Sequence, residues 1–183
     1  TSFLEGAWSG IRQPGMIDFE HSPETGVEKS TFLRLAEKVT ELPEQMNFFP
    51  KIRKLYAERR AMVLEKQMLD WGAGETMAFA TLLEEYRPVR ISGQDSGRGT
   101  FAHRHAIVTT EEDSKYVPLN HLSDKQAPFS VYNSLLSEYG VLGFEFGYAY
   151  STPRSLTIWE AQFGDFGNGA QIIFDQFISS AET

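Results

Sequence analysis

Two stretches of the sequence bring together side chains that can exchange protons or face a flat ring. Glu138 stands just before an apolar, glycine-rich segment, residues 140–149 (GVLGFEFGYA), and residues 159–166 (WEAQFGDF) combine aromatic rings with acids. A carboxylate at a helix N-terminus is stabilised by the helix dipole, typically by about 0.3–1 kcal/mol, and the local pattern favours this role. A carboxylate beside aromatic rings in a cleft can instead act as a general acid or base. The residues alone leave both roles open.

Two histidines separated by one residue, His103 and His105, form a second candidate site. In an extended segment both imidazoles would point to the same face, where they could bind an anion or move a proton. Two ligands without a third nearby do not predict a metal site, and a solvated loop is the simpler alternative. Arg98 and Arg104 are interpreted as anion contacts or as surface charges.

The hydrophobic period predicts the elements that must position these side chains. Amphipathic helices are predicted over residues 30–43, with Ser30 as N-cap, 51–63, and 70–83, with Asp70 as N-cap. Strands are predicted at residues 89–91, 129–132 and 156–159, the last of them buried, and further helices at 137–150 and 169–177. Helices alternating with short strands are typical of an α/β fold, here a mainly parallel sheet flanked by helices.

Residues 1–29 are rich in glycine and proline and lack a hydrophobic period, which predicts an extended arm or interdomain connector. Residues 30–183 are then expected to form a single domain, as the length of 183 residues suggests. Because a helix rather than a closing strand follows the last predicted strand, we expect the domain to be truncated at its C-terminal side and the chain to be a segment of a larger protein.

Composition narrows the possible partners. A net charge of −8 without a basic stripe argues against nucleic acid. The sequence contains no run of about twenty apolar residues, so no membrane partner is expected. With no cysteine, the chain offers neither a thiolate metal site nor a cysteine nucleophile, so covalent chemistry must come from another residue or from a cofactor.

The order of several motifs resembles the pyrimidine-binding domain of thiamine diphosphate-dependent 2-oxo acid dehydrogenases, and most of all the decarboxylating component of 2-oxoglutarate dehydrogenase. The resemblance begins at about residue 29. It is carried by residues 137–140 (SEYG) and 159–166, together with residues 70–72 (DWG), 78–82 (AFATL), 89–101 (VRISGQDSGRGTF), 103–106 (HRHA) and 175–178 (DQFI).

The resemblance implies roles for four residues around the cofactor. The family's glutamate at the position of Glu138 contacts a ring nitrogen of the aminopyrimidine, and a proton shared there activates the thiazolium carbon. Glu138 is therefore expected to be both catalytic and cofactor-binding. Phe166 matches an aromatic residue that stacks on the pyrimidine, and Leu136 and Phe163 are expected to line the same pocket.

The resemblance also implies that residues 103–106 (HRHA), the histidine segment, lie near the substrate. His105 is expected to be catalytic and substrate-binding, and His103 to be a further substrate contact, either by binding a carboxylate or by moving a proton. No metal ligand is expected in this chain. The family holds Mg²⁺ through a Gly-Asp-Gly motif that the sequence does not contain.

The implied cofactors are thiamine diphosphate and Mg²⁺, the latter held by the half of the site that a homodimer partner supplies. The whole protein would decarboxylate 2-oxoglutarate and pass the succinyl group to a lipoyl-bearing dihydrolipoyl succinyltransferase, in the bacterial cytoplasm or the mitochondrial matrix. An enzyme for 2-oxoadipate is one alternative, because the one extra methylene of that substrate allows a site to discriminate against it by only about 1–3 kcal/mol. A non-catalytic dimerisation module is another.

Overall fold

The computed structural model describes the backbone of residues 5–180 and their side chains, except those of Glu5 and Phe166. The α-helices are α1 (Glu5–Trp8), α2 (Lys29–Thr40), α3 (Pro50–Leu64), α4 (Trp71–Glu84), α5 (Glu138–Ser151) and α6 (Gln171–Ile173). The strands are β1 (Val89–Gly93), β2 (Val108–Thr109), β3 (Lys115–Tyr116), β4 (Phe129–Asn133) and β5 (Leu156–Glu160). Short 3₁₀ turns lie at Met16–Phe19, Pro118–Asn120 and Asp165–Gly167.

The central element is β1, the middle strand of a three-stranded parallel sheet with the order β4-β1-β5. Gly93, the last residue of β1, pairs in register with Asn133 of β4 and with Glu160 of β5. The C-terminal ends of all three strands therefore lie together, along one edge of the sheet, and α5, which connects β4 to β5, begins there. This architecture confirms the predicted α/β fold with a parallel sheet flanked by helices.

The side chains of β1 alternate between two helical layers. Val89 and Ile91 are buried in the main core with residues of α2 and α4. Arg90 points the other way and binds Glu145 of α5. Because successive side chains of a strand face opposite sides of the sheet, α4 and α5 cover opposite faces.

The helices that cover the α4 face begin close to their predicted residues. α4 begins after Asp70, whose carboxylate accepts a hydrogen bond of 2.7 Å from the backbone N–H of Ala73, as its prediction as N-cap requires. α3 begins at Pro50, where the missing N–H costs no helical hydrogen bond. The prediction that Ser30 caps α2 is wrong, because Glu28 occupies the N-cap position and Ser30 lies in the first turn.

Two predictions about the α5 face need correction. β5 forms where expected but is not buried, since Leu156 is 38% exposed and the other four residues are partly buried. β5 is an outer strand of the sheet and packs against α5. Its short apolar run therefore did not indicate full burial. The last predicted helix is α-helical only over Gln171–Ile173 and continues as a π-helical turn, Phe174–Ile178.

The segment before α2 lies on the surface, and the side chains of residues 9–30 are exposed. Its start is attached to the C-terminal end of α5, because the Trp8 indole N–H donates a hydrogen bond of 2.8 Å to the carbonyl of Tyr150. Arg154 donates a second bond, also of 2.8 Å, to the carbonyl of Ser9. The division into an arm and a domain at residue 29 stays a prediction. Among the described residues, no helix is both long and apolar enough to span a lipid bilayer.

Candidate active site

The candidate site lies at the edge where the three parallel strands end, the usual position of ligand sites in such sheets. Gly93 allows the strands to converge there: its φ is +156°, and an added Cβ would lie 2.3 Å from the carbonyl oxygen of Glu160. A larger residue would push β1 away from β5. Residues following each strand, including Gln94, Ser134 and Leu135, line a narrow cleft at this edge.

Glu138 occupies the first turn of α5 and lines this cleft. Its side chain is partly buried, and Oε2 accepts a hydrogen bond of 2.7 Å from the backbone N–H of Gly169. Among the residues that the structure describes, Oε1 accepts no hydrogen bond. One oxygen is therefore fixed by the protein, and the other is available to a ligand.

An open hollow of about 280 Å³ lies next to the segment that follows β5. Two of its lining residues are Phe101 and Phe163, whose rings meet edge to face with centroids 6.0 Å apart. They are 76% and 79% exposed, respectively. Exposed flat rings that are held against each other can pack against the face of a planar heterocycle.

The segment between β5 and α6 is held in place by Gln162. Its side-chain amide donates hydrogen bonds to the carbonyl of Gln94, at 2.9 Å, and to the Thr100 hydroxyl, at 2.7 Å. Its backbone N–H donates to the carboxylate of Asp165, at 2.8 Å. The sequence did not single out Gln162, yet this residue joins the loop after β1, at Gln94 and Thr100, to the segment carrying Phe163.

Arg104 is buried, so the prediction that it is an anion contact or a surface charge is wrong. It is 2% exposed and donates to both carboxylate oxygens of Glu75, at 2.7 and 2.8 Å. It also binds both carboxylate oxygens of Glu160, one of them at 3.0 Å, and donates to the carbonyl of Ser96 at 2.8 Å. All five N–H donors of the guanidinium are therefore used.

The charges around Arg104 keep it ionised. Burial by itself lowers the pKa of Arg104, but the hydrogen bonds to Glu160 and Glu75 outweigh burial and raise the pKa above its ordinary value. Its guanidinium thus joins α4, the end of β5 and the loop after β1 into one cluster, with two carboxylates sharing one permanent cation.

His103 lies beside this cluster. One potential ligand atom from each of Glu75, His103 and Glu160 lies within 4.8 Å of the others, a spacing that suits a metal ion. The four carboxylate oxygens already accept hydrogen bonds from Arg104, however, so the guanidinium supplies the positive charge that a metal would otherwise bring. The imidazole rests on Gly99, where an added Cβ would lie 2.5 Å from Cε1 of His103.

His105 does not share this environment. Its φ of +47° is left-handed, so the segment is not extended, and the premise that would point both imidazoles to one face is wrong. Its carbonyl accepts a 2.9 Å hydrogen bond from the hydroxyl of Tyr56, and burial raises the pKa of Tyr56 to about 12. Burial is also the main cause that lowers the pKa of His105, and the nearby cations Arg59, Arg98 and Lys51 lower it further.

Two predicted residues are not brought into an enclosed pocket. Leu136 is 80% exposed at the turn before α5. Phe166 belongs to the 3₁₀ turn Asp165–Gly167, and its side chain lies outside the part of the chain that the structure describes. The site is consequently a half-open surface in which Glu138 and the exposed rings of Phe101 and Phe163 lie at the same edge of the sheet.

A family comparison agrees with this geometry. The model of the transketolase pyrimidine-binding domain matches residues 67–183. The chain belongs to this family. The matched residues include the whole parallel sheet, the histidine segment and α5.

Individual relatives extend the similarity to the N-terminal residues. The chain is 55% identical over 160 residues to a protein named 2-oxoglutarate dehydrogenase E1 component from Haemophilus influenzae, covering 87% of this chain and 17% of that protein. It is 50% identical over 185 residues to the Rickettsia felis protein of the same name, with 99% and 18% coverage. With the Brucella melitensis protein it shares 43% identity over 183 residues, with 100% and 18% coverage. The chain thus spans less than a fifth of the length of these relatives.

Proposed function

We propose that this chain supplies the pyrimidine side of the active site in a thiamine diphosphate-dependent 2-oxoglutarate dehydrogenase, as part of its decarboxylating component. The identity to relatives of that name supports the proposal. The structural observation that carries it is the position of Glu138, which lies in the first turn of α5 at the edge where the parallel strands end, with one carboxylate oxygen available.

The residues at this edge fit an aminopyrimidine ring. The free Oε1 of Glu138 suits a ring nitrogen that carries or shares a proton, while the exposed rings of Phe101 and Phe163 suit a planar face. Because this surface is half-open, we infer that a second protein surface covers the other side of the ring. That surface would come from a homodimer partner, which would also hold the diphosphate and Mg²⁺.

Glu138 is proposed to hold and move a proton at the pyrimidine ring nitrogen. The hydrogen bond from Gly169 fixes one of its oxygens, so the other points in a defined direction without reorganisation during the reaction. When bound, thiamine diphosphate supplies a nucleophilic thiazolium carbon and stabilises the charge that remains after carbon dioxide leaves. Glu138 would hold or donate the proton at the ring nitrogen that this chemistry requires.

The histidine segment is proposed to act on the substrate side. His105, whose pKa is lowered by burial and by nearby cations, offers a neutral imidazole that can accept a proton. His103 offers a second imidazole for a substrate carboxylate or for acyl transfer to a lipoyl group on a dihydrolipoyl succinyltransferase. Phe166 and Leu136 are proposed as further cofactor contacts. Since the relatives named above are bacterial, the bacterial cytoplasm is the compartment that the proposal implies.

A non-catalytic dimerisation role has one observation in its favour. Leu135, Tyr139 and Phe144, at the start of α5 or just before it, are 83%, 57% and 60% exposed. Exposed apolar residues that cluster in this way are typical of interaction surfaces. An interface at this position is compatible with catalysis, so cofactor-dependent turnover separates the two functions.

The test is release of carbon dioxide from 2-oxoglutarate by the full-length protein, with thiamine diphosphate and Mg²⁺ added. We expect Glu138→Gln to lower turnover by about 100-fold or more, in the range that loss of a general acid or base produces. The control is Glu84→Gln, which removes one partner of the surface ion pair with Arg34 and should retain activity. Full activity of Glu138→Gln would contradict the role of Glu138, and turnover of 2-oxoadipate in place of 2-oxoglutarate would contradict the substrate.

A further inference from the structure

An ion pair between β1 and α5 involves the same helix that carries Glu138. The helix carries a second acid, Glu145, which is only 3% exposed. Arg90 of β1 binds it through two parallel hydrogen bonds, from Nε and Nη2 to the two carboxylate oxygens, both of 2.7 Å. Paired N–H···O bonds of this kind fix orientation as well as distance.

Aromatic rings hold the guanidinium of Arg90 in turn. Its central carbon lies 4.4 Å from the ring centroid of Tyr132 on β4. The corresponding distances to Tyr148 and Phe144 of α5 are 4.6 and 5.3 Å. Arg90 therefore contacts α5 at three positions that lie on one side of the helix, and the planar guanidinium suits this arrangement better than the ammonium group of lysine does.

In the described part of the chain, the paired bonds from Arg90 are the side-chain hydrogen bonds that join α5 to the sheet; other contacts of the helix, such as those of Phe146 with Phe177 and of Tyr150 with Trp8, involve elements outside the sheet. Of its fourteen residues, only Leu142 and Glu145 are buried. The helix also contains Gly140, Gly143 and Gly147, which provide no side chain that could interlock with the sheet. Where few side chains interlock, a directional contact contributes more to the rotational position of a helix.

The spacing of the two acids links this contact to the candidate catalytic group. Glu138 and Glu145 are seven residues apart, so they are separated by roughly 20° around the helix axis and about 10 Å along it. A rotation that changes the direction of Glu138 would therefore break the paired hydrogen bonds between Arg90 and Glu145.

We propose that Arg90 is a positioning residue, and that its pairing with Glu145 sets the rotation of α5 and thereby directs Glu138 at the cofactor. This inference rests on the proposed function of Glu138. Arg90 itself contacts no cofactor; it acts through Glu145 and the helix.

The experiment uses the full-length protein loaded with thiamine diphosphate and Mg²⁺. The readout is the rate at which the proton on the thiazolium carbon exchanges with deuterium, measured by NMR after acid quenching. We expect Arg90→Lys and Glu145→Gln each to slow this exchange by about tenfold or more, since a misplacement of about 1 Å can cost about 100-fold. The double variant should be no slower than the slower single variant, because the two residues act as one unit.

Two comparisons make the outcome decisive. Glu84→Gln breaks the ion pair with Arg34 on the other face of the sheet and should leave the exchange rate unchanged. If Arg90→Lys and Glu145→Gln lower the melting temperature but not the exchange rate, the ion pair is only structural and the inference is wrong. If Arg90→Lys does not fold, the exchange rate of Glu145→Gln alone tests the inference: an unchanged rate with a lower melting temperature would show it to be wrong.

Glu138→Gln, measured in parallel, separates this inference from the proposed function. Slow exchange in Glu138→Gln together with normal exchange in both ion-pair variants would overturn the positioning role alone. Normal exchange in Glu138→Gln would overturn the proposed role of Glu138, and the positioning role with it.

Discussion

At the scale of single residues, His105 shows how folding changes the chemistry of one side chain. Burial first, and then Arg59, Arg98 and Lys51, lower its pKa in the folded chain. As the pH falls through about 6.5, the ordinary value for histidine, the unfolded chain takes up a proton that the folded chain does not yet accept. The free energy of unfolding therefore decreases toward acid, until the pH reaches the lower pKa of the folded state.

This loss of stability toward acid gives a prediction for His105→Asn. Asparagine tolerates the positive φ of this position. We expect the variant to lose less stability than the wild type between pH 7.5 and 5.5. The measurement is the urea midpoint of the full-length protein at the two pH values, with hydrogen exchange of residues 97–107 to locate the effect. His21→Asn, in the exposed segment before α2, is the control and should retain the wild-type difference. An unchanged pH dependence in His105→Asn would show that folding does not disfavour its charged form.

At the scale of elements, the Arg104 cluster joins parts of the fold that are distant in sequence. Glu75 belongs to α4, Glu160 ends β5, and the carbonyl of Ser96 belongs to the loop after β1. Removing the cation would leave two carboxylates, which are 27% and 22% exposed, without their shared partner. Loss of one member of a buried ion pair costs about 3–5 kcal/mol, and the partial exposure of both acids points to the lower end.

We therefore expect Arg104→Met to lower the free energy of unfolding by about 3 kcal/mol. Arg98→Met is the matched control, because it removes the same side chain from the same loop but breaks only the pair with Asp95, whose members are 51% and 46% exposed. Such a surface pair contributes about 1 kcal/mol or less. Hydrogen exchange at α4 and at the end of β5 should increase in Arg104→Met only. Equal effects of the two substitutions would mean that the buried cluster does not join these elements.

The sequence predicted the parallel sheet and most helices because each depends on a local pattern: a hydrophobic period, the Asp70 cap, or the proline at the start of α3. The charge clusters were not predicted, because they join residues between 29 and 56 positions apart that meet only after folding. A local signal did exist. Glu75 lies among mostly apolar residues of α4, and Glu145 among those of α5, and each is bound by an arginine from another element.

At the scale of the whole molecule, the candidate site and the exposed apolar residues lie together. Leu135 and Leu136 follow β4, Tyr139 and Phe144 lie on α5, and Phe163 follows β5; all are more than half exposed. The main core, by contrast, lies on the α4 face of the sheet. If this exposed surface is where a second subunit completes the site, assembly and cofactor binding should be coupled. Formation of the subunit interface would also bring together the two halves of the cofactor site.

The last prediction tests this coupling with Leu135→Asp. Leu135 is 83% exposed, so the substitution should change the free energy of unfolding of the isolated chain by no more than about 0.5 kcal/mol. In the full-length protein the added charge would lie in the interface, where burying an unpaired carboxylate is costly. We expect analytical ultracentrifugation to show a dimer that dissociates, and calorimetry to show at least tenfold weaker binding of thiamine diphosphate. Ser114→Asp adds the same charge to the exposed turn before β3 and should change neither property. A dimer that remains intact in Leu135→Asp would mean that this surface does not contact the second subunit.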